Sequence, residues 1–249
     1  MTGIAYFGSA TNPADNASFL DTANPCVITP PGSMVADQLV VVQVEFNNNT
    51  TTRNIAISAT GGQTWNSFIH NGAPHNYALF WTQFNGTWSA NPSWTHGSSA
   101  LTTGFCAHMQ VFNPSTGSPV AWAVDVSDSV ATYAAPTTPF DVTTTGQTSI
   151  ANNTVTLAIF TCGNGALTWS LQTGGWSNPG GQTQWRNTSG GNVSVAYKIQ
   201  TAAGATGNVT NRQSATGSSG WQDSITFRDG VPPVGGPPIG SLALLGVGR

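Results

Sequence analysis

Nine acids and four histidines carry most of the acid–base and metal-binding capacity of this 249-residue sequence. The acids are Asp15, Asp21, Asp37, Glu45, Asp125, Asp128, Asp141, Asp223 and Asp229, and the histidines are His70, His75, His96 and His108. Glycoside hydrolysis needs two carboxylates facing one sugar, about 5–10 Å apart. Asp125 and Asp128 have an odd separation, so on one strand they point to opposite faces. Glu45 shares a strand face with Gln43 and meets an Asp only through the fold. No metal spacing such as His-Glu-x-x-His occurs. His70 and His75 flank the loop Asn71-Gly72-Ala73-Pro74 and are placed to pair across a hairpin. A zinc site needs three or four ligands, so two exposed loop histidines are the expectation. His108 reads as a hydrogen-bonded wall position on the mixed face of its strand. There is no Gly-x-Ser-x-Gly elbow and no phosphate loop. The sequence predicts no catalytic residue, no metal and no cofactor, hence not an enzyme.

Nine tryptophans are the other chemical resource. Trp81, Trp122 and Trp221 fall within predicted strands and read as core or sheet wall. Trp88, Trp94, Trp176 and Trp185 fall in Gly-, Asn- and Ser-rich loops. A loop indole has three uses: a wedge under its own loop, an anchor for another subunit, or a flat apolar platform for a sugar ring. These four are the candidate contacts for a glycan or a protein partner. The Asn-x-Ser/Thr tripeptides, Asn85-Gly86-Thr87 and Asn208-Val209-Thr210 among them, are read as solvated loop chemistry rather than glycosylation.

The elements that must position these groups are strands. Leu, Met, Glu, Lys and Arg together supply only 20 residues, with Lys198 and Glu45 the sole lysine and glutamate. That shortage excludes a mostly helical fold and a coiled coil. Charged residues are 6% of the chain, against about 25% in average soluble domains. The net charge is −3 and the six cations are scattered, so no basic patch exists for nucleic acid. Apolar residues at 39% and aromatics at 10% are enough for a core. No apolar run reaches the about 18 residues of a membrane span, and Met1-Thr2-Gly3-Ile4 carries no signal-peptide pattern. Cys26, Cys106 and Cys162 fit neither a disulfide framework nor a zinc pattern. Cys106 and Cys162, inside apolar runs, read as small core hydrophobes, and the cysteine usage fits a protein made in a reducing cytosol.

Period-two segments run through the chain, the clearest being Leu39 to Phe46. One face carries Val40, Val42, Val44 and Phe46, and the other carries Leu39, Val41, Gln43 and Glu45. Further strands are predicted at 4–8, 26–29, 55–60, 77–84, 101–112, 121–126, 155–162, 168–171, 193–200 and 221–227. Turns fall at Pro30-Pro31-Gly32, Gly61-Gly62, Asn85-Gly86 and Gly180-Gly181. Strands spaced this way without helices predict an antiparallel β-sandwich or jelly roll. Gly61-Gly62-Gln63-Thr64-Trp65 and Gly180-Gly181-Gln182-Thr183-Gln184-Trp185 begin two similar series of segments, offset by 116 to 120 residues. The predicted organisation is therefore a sandwich over residues 1–229, built from related halves (about 4–119 and 120–229) closing over one shared core. Two separate small domains are the alternative. Residues 230–249 form a Pro/Gly-rich arm that includes Pro232, Pro233, Pro237, Pro238, Ile239, Leu242, Leu244 and Leu245. Its apolar tip either docks on a neighbouring subunit or folds back on its own domain.

Four pieces of the first half carry a resemblance: Val27-Ile28-Thr29-Pro30-Pro31-Gly32, Ala36-Asp37-Gln38-Leu39-Val40-Val41, Gly61-Gly62-Gln63-Thr64-Trp65 and Ala78-Leu79-Phe80-Trp81. Asn153 to Ala158 and Ile225 to Arg228 carry it in the second. Over residues 4–228 this pattern resembles a phage and bacterial virion-associated β-sandwich family of jelly-roll-like fold. Gln38 after Asp37, and the lack of a Pro-x-Gly-Trp turn, depart from the family pattern. The resemblance implies a virion home after synthesis in the host cytoplasm and no catalytic residues. The expected function is that of a structural bacteriophage virion protein, a capsid decoration or a tail or fibre component. Its expected partners are other virion proteins and copies of itself, in a homo-oligomer. The alternative is a carbohydrate-binding, adhesin-like module that meets a host surface glycan. Neither nucleic acid nor membrane is an expected partner.

Overall fold

The computed structural model describes residues 3–12, 18–19, 25–46, 55–70, 75–97, 105–115, 121–134, 140–164, 166–187, 191–214 and 218–230. The arm residues Pro232 to Leu245, the loop 71–74 and the start of the segment predicted at 101–112 lie outside the described residues. Twenty strands are present among them. In the first half these are β1 (Ala5–Asn12), β2 (Ser18–Phe19), β3 (Cys26–Val27), β4 (Leu39–Phe46), β5 (Ile55–Ala59), β6 (Asn66–His70), β7 (Asn76–Gln83), β8 (Ser93–His96) and β9 (Phe105–Asn113). Then come β10 (Ala123–Val126), β11 (Ala131–Tyr133), β12 (Phe140–Thr144), β13 (Thr148–Ser149), β14 (Thr154–Cys162) and β15 (Trp169–Leu171). The last five are β16 (Trp185–Asn187), β17 (Asn192–Gln200), β18 (Gly204–Ala205), β19 (Val209–Gln213) and β20 (Gly220–Arg228). The one helical element described is a 3-10 turn at Pro179–Gly181.

Two large sheets form the middle of the molecule. Sheet one has the order β1-β9-β4-β7-β6, and sheet two has β10-β20-β14-β17-β16-β2, with β11 also on β20. All these pairings are antiparallel except β16 with β2. Both central strands, β4 and β14, are buried along their whole length. Alternation then sends the two faces of each strand into different cores. Leu39 and Val41 of β4 meet Val155, Leu157 and Ile159 of β14 in a cluster between the two sheets. The opposite face of β4, with Val40, Val42, Val44 and Phe46, packs under the small sheet β3-β8-β5 against Ile28, Ile55 and Trp94. The opposite face of β14, with Ala158, Phe160 and Cys162, packs under β12-β19-β15 against Val142, Trp169 and Val209. The architecture is an all-β layered sandwich. The expectation of a single core needs extending: beside the cluster between the large sheets, each large sheet has a core of its own.

Each central strand is entered in the same way. Asp37 and Asn153 stand two residues before Leu39 and Val155, and both take a left-handed backbone, with φ of 72° and 54°. Asp and Asn are the non-glycine residues that tolerate this region best. The segment after residue 120 does not loop into solvent. Trp122 joins the core between the sheets and donates its Nε1–H to Asp37 O at 2.7 Å, while β10 pairs with β20.

Candidate functional site

The inner face of β4 changes character along its length. Leu39 and Val41 are followed by Gln43 and Glu45, all fully buried. The neighbours change with it. β7 places Trp81, Leu79 and Tyr77 opposite Val41, Gln43 and Glu45, and β9 places Gln110 and His108 opposite Val41 and Gln43. From sheet two come Thr161 of β14, Trp185 of β16, and Trp221 and Asp223 of β20. The space between the sheets thus has an apolar end and a polar end.

The polar end is held by specific bonds. Gln43 Nε2 donates to Gln110 Oε1 at 2.7 Å, and Gln110 Nε2 bonds His108 Nδ1. The His108 ring stacks on Trp185 with centroids 3.2 Å apart. His75 Nε2 lies 2.5 Å from Thr161 Oγ1 and 3.6 Å from Glu45 Oε1. Trp221 Nε1 donates to His75 O at 2.6 Å, and Tyr133 donates its hydroxyl to Thr161 O at 2.5 Å. Burial lowers the pKa of His75 to about 3 and that of His108 well below the usual histidine value. Both imidazoles are therefore neutral in the folded protein at physiological pH.

At the rim of this polar end three further ionisable groups converge. His70 ends β6, Asp128 lies between β10 and β11, and Asp223 lies on β20. The Asp128 segment is fastened to β20 by Ser129 N donating to Ser224 O at 2.9 Å. His70 Nε2 is 3.0 Å from Asp128 Oδ2. Tyr77 donates its hydroxyl to Asp223 Oδ2 at 3.1 Å. The His70 ring stacks on Tyr77 at 5.7 Å and leans on Trp221 at 5.9 Å. One ligand-type atom from each of His70, Asp128 and Asp223 lies within 4.8 Å of the others. Burial raises the Asp223 pKa to about 7, and the nearby Asp128 charge adds to the shift. Burial lowers the His70 pKa, with Asp128 acting against it.

The sequence did not point to this cluster, because its members come from three segments far apart in the chain. Its one sequence-level signal is an acid on the inward face of an otherwise apolar alternation, Trp221, Asp223, Ile225 and Phe227, as Glu45 is on β4. His70 and His75, expected as exposed loop residues, are half-buried and fully buried, and they turn to different partners. Asp125 and Asp128 diverge: Asp125 accepts from Ile150 N at 3.0 Å and lies 3.5 Å from Arg228.

The four tryptophans expected in loops are taken up in packing, and two of them stand in strands, Trp94 in β8 and Trp185 in β16. Trp94 and Trp185 are fully buried, and Trp176 belongs to the core under β12-β19-β15. Trp88 is half-buried and stacks on Phe84 and Trp65. A separate groove of about 300 Å³ is lined by Trp81, Trp122, Gln63, Gln83, Asn66 and Asn85 together with Gly62, Thr64 and Thr82. Several of its amides already bond one another or the backbone. Gln63 Nε2 donates to Asn85 Oδ1 and Thr87 O, and Gln83 Nε2 donates to Asp37 Oδ1. Trp81 Nε1 is buried with no acceptor.

Comparison with family models, with curated proteins and with solved structures gives no match to this chain.

Proposed function

We propose that the protein is a structural component of a phage virion, a capsid decoration or a tail or fibre component. It works through contacts with copies of itself and with neighbouring virion proteins. The virion assignment follows the sequence resemblance. The observation that supports an assembly role is the surface. Among the described residues only three charged side chains are exposed, Asp37, Asp141 and Arg212. Two of them neutralise each other, with Arg212 Nε and Asp141 Oδ1 2.6 Å apart. A protein that stays dispersed normally relies on surface charge to resist association. Here Asn, Thr, Ser, Gln and Gly take that place, with Val35 and Ile150 standing out at 60% and 69% exposure. A neutral polar surface can be covered by a neighbour without the desolvation penalty of buried charge. Mass spectrometry of purified particles from the producing lysate tests the reading. The chain is expected in the particles at fixed stoichiometry, and its confinement to the particle-free fraction contradicts the proposal.

The groove at Trp81 favours a second reading, a carbohydrate-binding module on a virion or cell surface. Aromatic faces beside neutral amides suit a polyol ligand. A glycan array with the intact chain and with Asn66→Ala decides it. Binding weakened by the substitution supports the reading, and absence of any bound glycan removes it.

A further inference from the structure

We propose that His70, Asp128 and Asp223 form a binding site for one divalent transition cation of the zinc class, joining β6 of sheet one to β20 of sheet two. One imidazole nitrogen and two carboxylates, each offering a ligand atom within 4.8 Å of the others, make a compact mixed nitrogen–oxygen donor set. Imidazole selects transition metals, whereas calcium and magnesium take six or more oxygens. Three protein ligands leave the remaining coordination positions to water.

An unused polar atom carries the argument. Asp223 is completely buried, and while its Oδ2 accepts from Tyr77, its Oδ1 has no donor among the described residues. His70 Nε2 faces Asp128 Oδ2 at 3.0 Å, so the imidazole nitrogen and this carboxylate already stand side by side. A buried polar atom left unpaired is uncommon and destabilising, and an ion held by Asp223 satisfies it. The charges point the same way. Among the described residues no Lys or Arg comes within ion-pairing distance of Asp128 or Asp223. A dication compensates two neighbouring carboxylates whose one basic contact among the described residues is the His70 ring.

The surroundings suit a held ion. The side chains of His70 and Asp128 remain 17% and 15% exposed, which gives an entry path. Tyr77 fixes Asp223, and Tyr77 and Trp221 fix the His70 ring, as outer partners orient metal ligands elsewhere. Because the ligands come from both sheets, a bound ion ties them together and raises stability by mass action.

The test uses the untagged full-length chain after chelator dialysis. Zn²⁺ is titrated by calorimetry, Co²⁺ by its visible spectrum, and Tm is read with Zn²⁺ and with Ca²⁺. One Zn²⁺ per chain is expected, with a rise in Tm that Ca²⁺ at the same concentration does not reproduce. His70→Ala, Asp128→Asn and Asp223→Asn are each expected to weaken binding at least about tenfold, while Asp141→Asn leaves it unchanged. His70 and Asp128 sit at the rim, so those two variants keep the question open to measurement even where Asp223→Asn disturbs folding. No binding by the intact chain, or binding that folded His70→Ala and Asp128→Asn proteins retain in full, overturns the proposal.

Discussion

The surface and the polar end of the inter-sheet space divide the ionisable groups in an unusual way. Outside, three described charges are exposed, and two of them cancel. Inside, Glu45, His75, Tyr77, His108 and Asp223 are completely buried. Most globular proteins do the reverse, keeping charge in water and apolar groups within. The contrast teaches that the two regions answer to different demands. Each interior group is held through at least one defined partner, and each bond lost there strands a further polar atom. The exterior has so little charge that neighbours can cover it cheaply.

The largest expected effect lies inside. Gly220 approaches β14 so closely that a Cβ would sit 1.7 Å from Thr161 O and 2.4 Å from the Tyr133 hydroxyl. Gly220→Ala must push β20 off β14 and is expected to lower stability by more than about 3 kcal/mol in denaturant titration. A loss under about 1 kcal/mol would show that the polar end yields easily.

Acid comes next. The folded pKa of His75 is about 3, and its unfolded value is about 6.5. As pH falls the unfolded chain takes up this proton first, so the contribution is whole above pH 6.5 and drains away between 6.5 and 3. Asp223, raised to about 7 by burial and by Asp128, works in the opposite sense. The readout is therefore the difference between the intact chain and His75→Gln, both kept in chelator. Between pH 4 and 6 the intact chain should lose stability faster, by up to about 1.4 kcal/mol per pH unit. Parallel profiles would place the His75 proton wrongly.

A smaller effect is expected from Thr161→Val. It removes the hydroxyl beside His75 Nε2 and strands a buried ring nitrogen, for a loss of about 1–3 kcal/mol. Smallest is the outside. Val35→Lys with Ile150→Glu should change stability by no more than about 0.5 kcal/mol each, yet should reduce self-association seen by sedimentation. A large stability loss from either would mean that these exposed side chains serve the fold rather than contacts.

The central strands were legible because β4 and β14 are long and rich in branched residues, and the predicted 39–46 and 155–162 match Leu39–Phe46 and Thr154–Cys162 closely. β12 and β19 were not. Their inward side chains include the buried polar residues Thr144, Asn211 and Gln213, and the last two are held there by hydrogen bonds. Asn211 Nδ2 donates to Ser194 Oγ at 2.8 Å and Gln213 Nε2 to the Tyr133 hydroxyl at 2.9 Å. Such a strand reads as a polar loop in sequence. The cluster of His70, Asp128 and Asp223 was hidden for another reason: strand pairing across the whole chain brings it together, and no local spacing encodes that. Of the four tryptophans read as loop residues, Trp88 and Trp176 lie outside strands, but Trp94 stands in β8 and Trp185 in β16, short strands whose polar flanks hide them in sequence.

Light scattering of the full-length chain, alone and mixed with particles purified from the producing lysate, tests the proposed assembly role most directly. That role predicts a mass above the 25.7 kDa of one chain, or transfer of the chain onto the particles. A monodisperse species of single-chain mass at every concentration, indifferent to particles, would contradict it.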